Sequence, residues 1–215
     1  SDPGLPDRGV VALCDFGAAG SSITLADAGA DFAIIGETVR YADFSGDHAD
    51  QALLNHILSG IRTASPTETG GTAAVGSLMR LREECRLAKE RLSAETTAAV
   101  PADLPGYRSD VRVTRAELES LLSEPFTGFL DALGDALERS GIPAANLSAV
   151  ATVGGSAAIP FVTQRLSEQL RVPVITTARP DLAAARGAAA IAATGADPQA
   201  RTGMAVTAAD TPTSL

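Results

Sequence analysis

The stretch VVALCDFGAAGSSIT, residues 10–24, decides the fold. It begins with an apolar run that indicates a buried strand ending at Asp15, and a tight turn from Gly17 to Gly20 leads into a second strand. Small residues in such a turn let backbone N–H groups approach an anion, and an Asp at the strand end can hold a hydrated Mg²⁺. An ordinary hairpin whose glycines supply its φ angles has the same pattern, so both interpretations stay open.

A second glycine turn follows a later apolar run. The strand expected over 149–153 stops at Gly154-Gly155, and a helical pattern begins at Ile159 with Pro160 in its first turn. A Gly-Gly turn that enters a helix brings the backbone close to a ligand and directs the positive end of the helix dipole towards it. A plain strand–helix turn fits equally well.

The remaining periodicities predict an α/β fold. Strands over 10–16, 21–25 and 31–41 form an antiparallel meander, and the helix over 47–61 has Asp47 as its N-cap. A hairpin bends at Pro105-Gly106. The other expected elements are helices over 74–93, 115–122, 125–139 and 159–170, a strand over 174–176, and a last helix from Pro180 to Gly195.

The pattern divides the chain into two parts. Residues 9–45 and 110–194 form an α/β core, and residues 46–109 form an inserted α+β subdomain. We expect residues 1–8 to be a linker or chain edge. Residues 195–215 have no apolar period, so we expect a disordered tail.

Composition narrows the class of function. The 215 residues carry a formal net charge of -9 and no Trp, which disfavours nucleic acid and anionic membrane as partners. Cys14 and Cys85 have no metal-ligand spacing and fit two reduced thiols in a cytoplasmic protein. The sequence has no long apolar stretch of the kind that would predict a membrane span, and its two histidines are too few for a zinc site.

Motifs at residues 15–24, 44–51, 85–93, 113–121, 153–160 and 179–189 occur in one order along the chain, and that order resembles the DnaK-type, or seventy-kilodalton heat-shock, chaperone family. That resemblance implies lobe II of an actin-like, ribonuclease-H-like ATPase with an inserted subdomain. The family pattern D-L-G-G-G-T-F-D-V-S is met by residues 15–24, C-E-x-A-K-x-x-L-S by 85–93, V-T-R-A-x-x-E-x-L by 113–121, and V-G-G-S-T-R-I-P by 153–160. Residues 44–51 and 179–189 are similar to two further family motifs.

The resemblance also implies a ligand and partners. ATP or ADP with Mg²⁺ would bind between this lobe and a first lobe of the same parent protein, and the isolated chain would bind nucleotide weakly or not at all and be inactive. Clients and co-chaperones are the other implied partners. Asp15 would be catalytic, and no residue is expected to be a direct metal ligand. The implied nucleotide-binding residues are Gly17, Gly20, Lys89, Ser93, Gly154, Gly155, Ser156 and Asp181.

Several positions depart from the family pattern. Gly20 replaces a Thr of the phosphate turn, Arg86 replaces a Glu, and Glu90 stands where eukaryotic members usually have Arg. Ala158 replaces an Arg that packs on adenine, and Ala cannot stack on a base. Two hypotheses follow: a divergent ATPase lobe, favoured by the retained Asp15 and glycines, or a pseudo-ATPase scaffold that serves protein contacts.

Overall fold

The computed structural model describes residues 4–64 and 72–193. These residues form seven strands and five α-helices. The strands are β1 (Val10–Phe16), β2 (Ser21–Asp27), β3 (Ala33–Tyr41), β4 (Thr97–Leu104), β5 (Tyr107–Thr114), β6 (Leu147–Val153) and β7 (Val174–Thr176). The helices are α1 (Gly46–Ala64), α2 (Thr72–Ala94), α3 (Arg115–Arg139), α4 (Pro160–Leu170) and α5 (Ala183–Ala193). The tail expected over 195–215 lies outside the described residues.

A five-stranded mixed sheet forms the centre, in the order β3-β2-β1-β6-β7. The first three strands are antiparallel, and β1, β6 and β7 run parallel to one another. Parallel neighbours end at the same edge of a sheet, so the turns that follow β1 and β6 meet there. This sheet confirms the α/β prediction.

The hairpin β4–β5 forms a separate two-stranded sheet. β5 continues past the boundary expected at residue 110, and one buried cluster contains residues from both expected parts, such as Leu92 and Phe126. The division into a core and an insert stays a prediction.

The prediction of two helices over 115–139 was wrong. These residues form one helix across Pro125. Proline inside a helix destabilises it by ~3 kcal/mol, but burial of each Leu or Phe side chain on the helix stabilises the fold by ~1.5–3 kcal/mol. Leu118, Leu122, Phe126, Phe129 and Leu133 give α3 a continuous buried stripe through the proline.

The cap of α1 also differs from the prediction. Helix α1 begins at Gly46, and the Ser45 hydroxyl accepts the N–H of His48 at 3.2 Å, as an N-cap side chain does. Asp47 instead lies in the first turn, where a negative charge is favourable to the helix dipole.

Aromatic rings anchor the end of β1. Phe16 is fully buried and contacts Phe44, Phe126 and Phe129, with ring centroids 5.7, 6.1 and 4.8 Å away. Phe161 of α4 extends the cluster through Phe126. Because rings of this size are rigid once packed, the cluster fixes the backbone on which Asp15 stands.

Within the described residues, no helix is both long enough and apolar enough to cross a membrane.

Candidate functional site

The two glycine turns lie against each other at the end of the central strands. Gly154 has φ 87° and ψ 159°, a region that is essentially open only to glycine. A Cβ added there would lie 2.5 Å from Asp15 Oδ1 and would collide with the carbonyl group of Phe16. The close approach of the two turns therefore requires glycine at this position.

The first turn is closed by backbone hydrogen bonds. Gly17 N–H donates to Gly20 O at 3.0 Å. The start of α1 packs on the same turn, because Gly46 N–H donates to Gly17 O at 3.0 Å and Asp47 N–H donates to Ala18 O at 2.8 Å. Helix starts leave their first N–H groups without helical partners, and α1 uses two of them to hold the turn.

Gly46 is the point where the site elements converge. A Cβ added to Gly46 would lie 3.1 Å from Ser156 Oγ and 3.4 Å from both Ala18 Cα and Lys89 Nζ. Ser156 Oγ in turn donates to Gly17 O at 3.4 Å. Both turns, α1 and α2 are thus in mutual contact around one glycine.

A largely buried ion pair joins α1 to α2 at this point. Lys89 Nζ lies 2.8 Å from Asp50 Oδ1 and donates to Gly46 O at 3.1 Å. The Asp50 contact is one of charge rather than a well-directed hydrogen bond, since Oδ1 has no partner in hydrogen-bond geometry among the described residues. Burial raises the pKa of Asp50, and Lys89 opposes that rise.

Helix α2 turns a charged face towards the same place. Arg86 Nε donates to both carboxylate oxygens of Glu83, at 3.1 and 3.0 Å, and Arg86 Nη1 lies 2.5 Å from Glu90 Oε1. These residues are three and four positions apart, so they share a helix face with Lys89 and Ser93. The carboxylates hold the pKa of Arg86 above its usual range.

These elements enclose a cavity of about 420 Å³. It brings together four of the predicted residues: Lys89, Ser93, Gly155 and Ser156. The other lining residues are Ala18, Gly46, Asp47, Asp50, Arg86, Glu90, Ala158 and Ile159.

The remaining predicted residues lie beside this cavity or away from it. Asp15 and Gly20 line a neighbouring cavity of about 390 Å³. Gly17 lies in the turn between the two cavities. Gly154 N–H donates a hydrogen bond to Pro180 O. Asp181 lines neither cavity and pairs with Arg179 at 2.7 Å, which lowers the pKa of its carboxyl.

Gly46 and Asp50 were not predicted as site residues. The sequence carried a signal for Asp50, because it lies at helical spacing with the apolar Leu53, Leu54 and Ile57 and is therefore a charge on a buried face. Gly46 lies just before a helical pattern, where glycine has many ordinary uses. Its role depends on distant chain segments that sequence alone does not bring together.

Other chemistry has little support in the described residues. No group of three or more His, Cys, Asp or Glu side chains there is arranged to hold a metal ion. Cys14 and Cys85 are buried free thiols, and burial raises the pKa of each to about 12. Thiols with such pKa values are poor nucleophiles at neutral pH.

Comparison with known proteins places the sequence among heat-shock proteins. Residues 4–207 match the family model described as Hsp70 protein. A heat shock cognate HSP70 protein of Trypanosoma brucei brucei is 31% identical over 83% of the chain and 27% of its own length. A heat shock protein of Pyricularia oryzae and a ribosome-associated molecular chaperone of Zygosaccharomyces rouxii are each 28% identical, over 83% of the chain and 29% of their own length.

Proposed function

Since the chain belongs to the Hsp70 family, we propose that it is the second lobe of an actin-like ATPase domain and supplies one wall of an ATP or ADP site. The five-stranded mixed sheet and its helices are consistent with that fold. The observation that carries the proposal is the contact of two glycine turns at Gly154, beside a cavity of about 420 Å³.

The second turn is suited to a phosphate group. A short 3₁₀ helix begins at Gly155, and no side chain caps its start. The N–H groups at a helix start have no helical partner, so those of Gly155 and Ser156 can be donated to phosphate oxygens. The Ser156 hydroxyl is a further donor at the same edge of the cavity.

Lys89 and Ser93 supply the opposite side of the cavity. Lys89 Nζ has three N–H bonds, of which one donates to Gly46 O, while the ammonium charge is paired with Asp50. A ligand oxygen can accept a further N–H of Lys89, and Ser93 lies one helical turn further along the same face. A sugar hydroxyl or a phosphate oxygen fits this pair.

Asp15 fits a role next to a nucleotide-bound metal ion. Within the described part of the chain, Asp15 is a single carboxylate that does not belong to a metal-binding group of acidic residues. A single carboxylate is compatible with Mg²⁺, because this ion commonly keeps several waters while binding one or two carboxylates and phosphate oxygens. The ion would neutralise phosphate charge when bound. Asp15 itself would orient a metal-bound water from the rigid end of β1.

The chain spans 27% and 29% of the length of the curated relatives that it matches. Phosphoryl transfer needs positioning and charge stabilisation around the whole nucleotide. We therefore propose that the nucleotide binds between this lobe and a first lobe of the parent protein, and that the isolated chain is inactive. Asp181, which lines neither cavity, belongs to the proposed site only in that assembled form.

A pseudo-ATPase scaffold is the second candidate. It is favoured by the part of the cavity that would hold the nucleotide base in the first candidate. There Glu90 and Arg86 pair with each other, and Ala158 presents only a methyl group. In this alternative, the fold serves protein contacts without nucleotide turnover. Clients and co-chaperones are the proposed partners in either case, and the cytoplasm is the proposed location.

Comparison of the isolated chain with the longer parent protein tests the proposal. We expect no Mg-ATP hydrolysis by the 215-residue chain, and hydrolysis by the protein that contains both lobes. Hydrolysis by the isolated chain would contradict the half-site. A parent protein that binds neither ATP nor ADP, while keeping its partners, would select the scaffold.

A further inference from the structure

We propose that Arg40 of β3 binds the terminal phosphate group of the nucleotide, in the cavity of about 390 Å³ that contains Asp15. This inference rests on the proposed nucleotide site and adds to it a cationic residue from the edge of the central sheet. It follows from the strand register, from the cavity that this register builds and from the pairing of the other cations nearby.

The register of β1, β2 and β3 places three polar residues in one row across the sheet. Asp15 of β1 lies opposite Ser22 of β2, and Ser22 lies opposite Arg40 of β3. Directly opposed residues of antiparallel strands direct their side chains to the same face of the sheet. Asp15, Ser22 and Arg40 therefore share a face, and all three line the same cavity.

This row lies on the more open face of the central sheet. The residues that precede or follow it along each strand point to the other face, where they join the main hydrophobic core: Cys14, Ile23 and Val39. On the face of the row, Leu13 is 38% exposed. Asp15 and Ser22 are half-buried and Arg40 is exposed, so a ligand can reach the row without displacing a core side chain.

The cation and the anion of the row do not pair with each other. Neighbouring strands lie about 4.8 Å apart, so the backbones of Asp15 and Arg40 are separated by about 10 Å across β2. Among the described residues, the Arg40 guanidinium has no hydrogen-bond or ion-pair partner. A phosphate group above Ser22 would accept N–H bonds from this guanidinium, and the Ser22 hydroxyl is a further donor.

The two cavities lie on either side of one glycine turn. Ala18 lines the cavity of about 420 Å³, and Gly20 lines the Asp15 cavity. A row of phosphate groups that begins at the backbone N–H groups of Gly155 can therefore pass this turn and end beside Arg40. A single phosphate held at Gly155 would not extend so far.

The other cations of the site already have carboxylate partners. Lys89 pairs with Asp50, and Arg86 pairs with glutamates on both sides of it along α2. Within the described residues that line the two cavities, Arg40 is the only basic side chain without such a partner. A polyphosphate adds several negative charges, and Arg40 is the cation that is free to receive them.

An arginine is well suited to the end of a phosphate chain. Its planar guanidinium offers parallel N–H donors that match two oxygens of one phosphate, whereas a lysine offers a point charge. A terminal phosphate has three oxygens outside the chain, so two can bind Arg40 while the third stays available to other donors. Arg40 would thus distinguish ligands by their number of phosphates.

The test compares ligands that differ in their phosphate groups. The 215-residue chain is titrated with Mg-ADP, with adenosine 5′-monophosphate and with inorganic phosphate at one Mg²⁺ concentration, and binding is followed by backbone amide NMR. Arg40→Gln removes the charge, and Arg40→Lys keeps the charge without the planar group. Arg112→Gln is the matched control, because Arg112 is an exposed arginine of β5 that lines neither cavity. The amide spectra also report whether each variant is folded.

We expect Arg40→Gln to weaken Mg-ADP binding about tenfold, which is typical of the loss of a hydrogen bond to a charged group, and to leave adenosine 5′-monophosphate binding unchanged. Arg40→Lys should weaken Mg-ADP binding by a smaller factor. Arg112→Gln should change neither affinity.

The outcomes separate this inference from the nucleotide site itself. If Arg40→Gln binds Mg-ADP like the original chain, or weakens both nucleotides equally, binding of the terminal phosphate by Arg40 is wrong while the nucleotide site stands. If neither nucleotide shifts the amides of Gly155 and Ser156 at millimolar concentration, the nucleotide site fails. In that case, shifts at Ser22 and Arg40 that inorganic phosphate causes and Arg40→Gln abolishes would still support Arg40 as a phosphate ligand, and their absence would overturn it too.

Discussion

Lys89 Nζ and Asp50 Oδ1 lie 2.8 Å apart, with side chains that are only 12% and 6% exposed. The pair links α1 to α2 at the cavity wall, and it also sets Lys89 in place. Removing one partner of a buried ion pair leaves an uncompensated charge, which costs far more than the loss of an exposed pair.

Asp50→Asn should therefore destabilise the chain by about 3 kcal/mol, the lower end of the cost of breaking a buried pair. The free energy of unfolding is measured in urea. Asp103→Asn is the matched control, since Asp103 and Arg108 form an exposed pair, and it should lower the free energy of unfolding far less. Equal effects of the two substitutions would mean that the Lys89–Asp50 pair is effectively solvated.

Gly154→Ala should destabilise the chain by about 3 kcal/mol or more. The substitution combines a backbone region that costs ~1–3 kcal/mol with a collision against Phe16. Gly155→Ala is the control, because a Cβ at Gly155 would meet nothing within 4 Å. That variant should stay within about 0.5 kcal/mol of the original chain. Similar unfolding curves for the two variants would show that the stability of the fold does not depend on the close approach of the two turns.

The Thr114–Glu117 capping box predicts a dependence on pH. The Thr114 hydroxyl and N–H donate to Glu117 Oε2 at 2.8 and 2.7 Å, and these bonds lower the pKa of Glu117 from its ordinary value of 4.5. Because the folded-state pKa is the lower one, the stabilisation is present above pH 4.5 and is lost as pH falls through the folded-state pKa.

Glu117→Ala should thus cost about 1 kcal/mol at neutral pH, as loss of a helix cap typically does, and progressively less in acid. The measurement is urea unfolding across the acid range. Glu119→Ala, two positions further along the same helix, lies outside the capping box and should show no such pH dependence. A constant cost of Glu117→Ala at all pH values would assign the effect to packing instead of to the carboxylate.

Asp15→Asn tests the proposed catalytic residue in a protein that contains both lobes. The substitution keeps the size of the side chain and removes its charge, so the melting temperature should be nearly unchanged. Turnover of Mg-ATP should fall by about one to two orders of magnitude, as for loss of a charge-positioning group. Asp27→Asn, at the far end of β2, is the control for charge alone and should leave turnover intact. If Asp15 only caps the turn, its variant will hydrolyse ATP at the original rate.

The sheet was largely predictable from sequence. Val10–Phe16, Pro105-Gly106 and Val174–Thr176 carry local signals, and the structure places strands or turns there as expected. Pro125 misled the prediction, because a local helix breaker was outweighed by burial of Phe126 and Phe129 against distant residues. Long-range packing of this kind has no signature within a short window of sequence.

The candidate site was predictable only in part. Glycine turns and the positions of Lys89 and Ser93 have local patterns, and the structure brings Lys89, Ser93, Gly155 and Ser156 to one cavity. The contacts of Gly46 with Ser156 and Lys89 arise from three separate chain segments. Hydrogen-bond partners such as those of Arg86 also depend on side-chain geometry, which sequence spacing allows but does not decide.

Titration of the isolated chain with Mg-ADP, followed residue by residue through backbone amide NMR, tests the half-site most directly. We predict weak binding in the millimolar range, with shifts centred on Gly17, Gly20, Gly46, Gly155 and Ser156, because these amides surround the two glycine turns. The cavity beside Thr127 and Asp131 should stay unaffected. Low-micromolar affinity would contradict the claim that one wall of the site is missing from the isolated chain. Shifts centred on Thr127 and Asp131, or none at millimolar Mg-ADP, would contradict the placement of the nucleotide at the glycine turns.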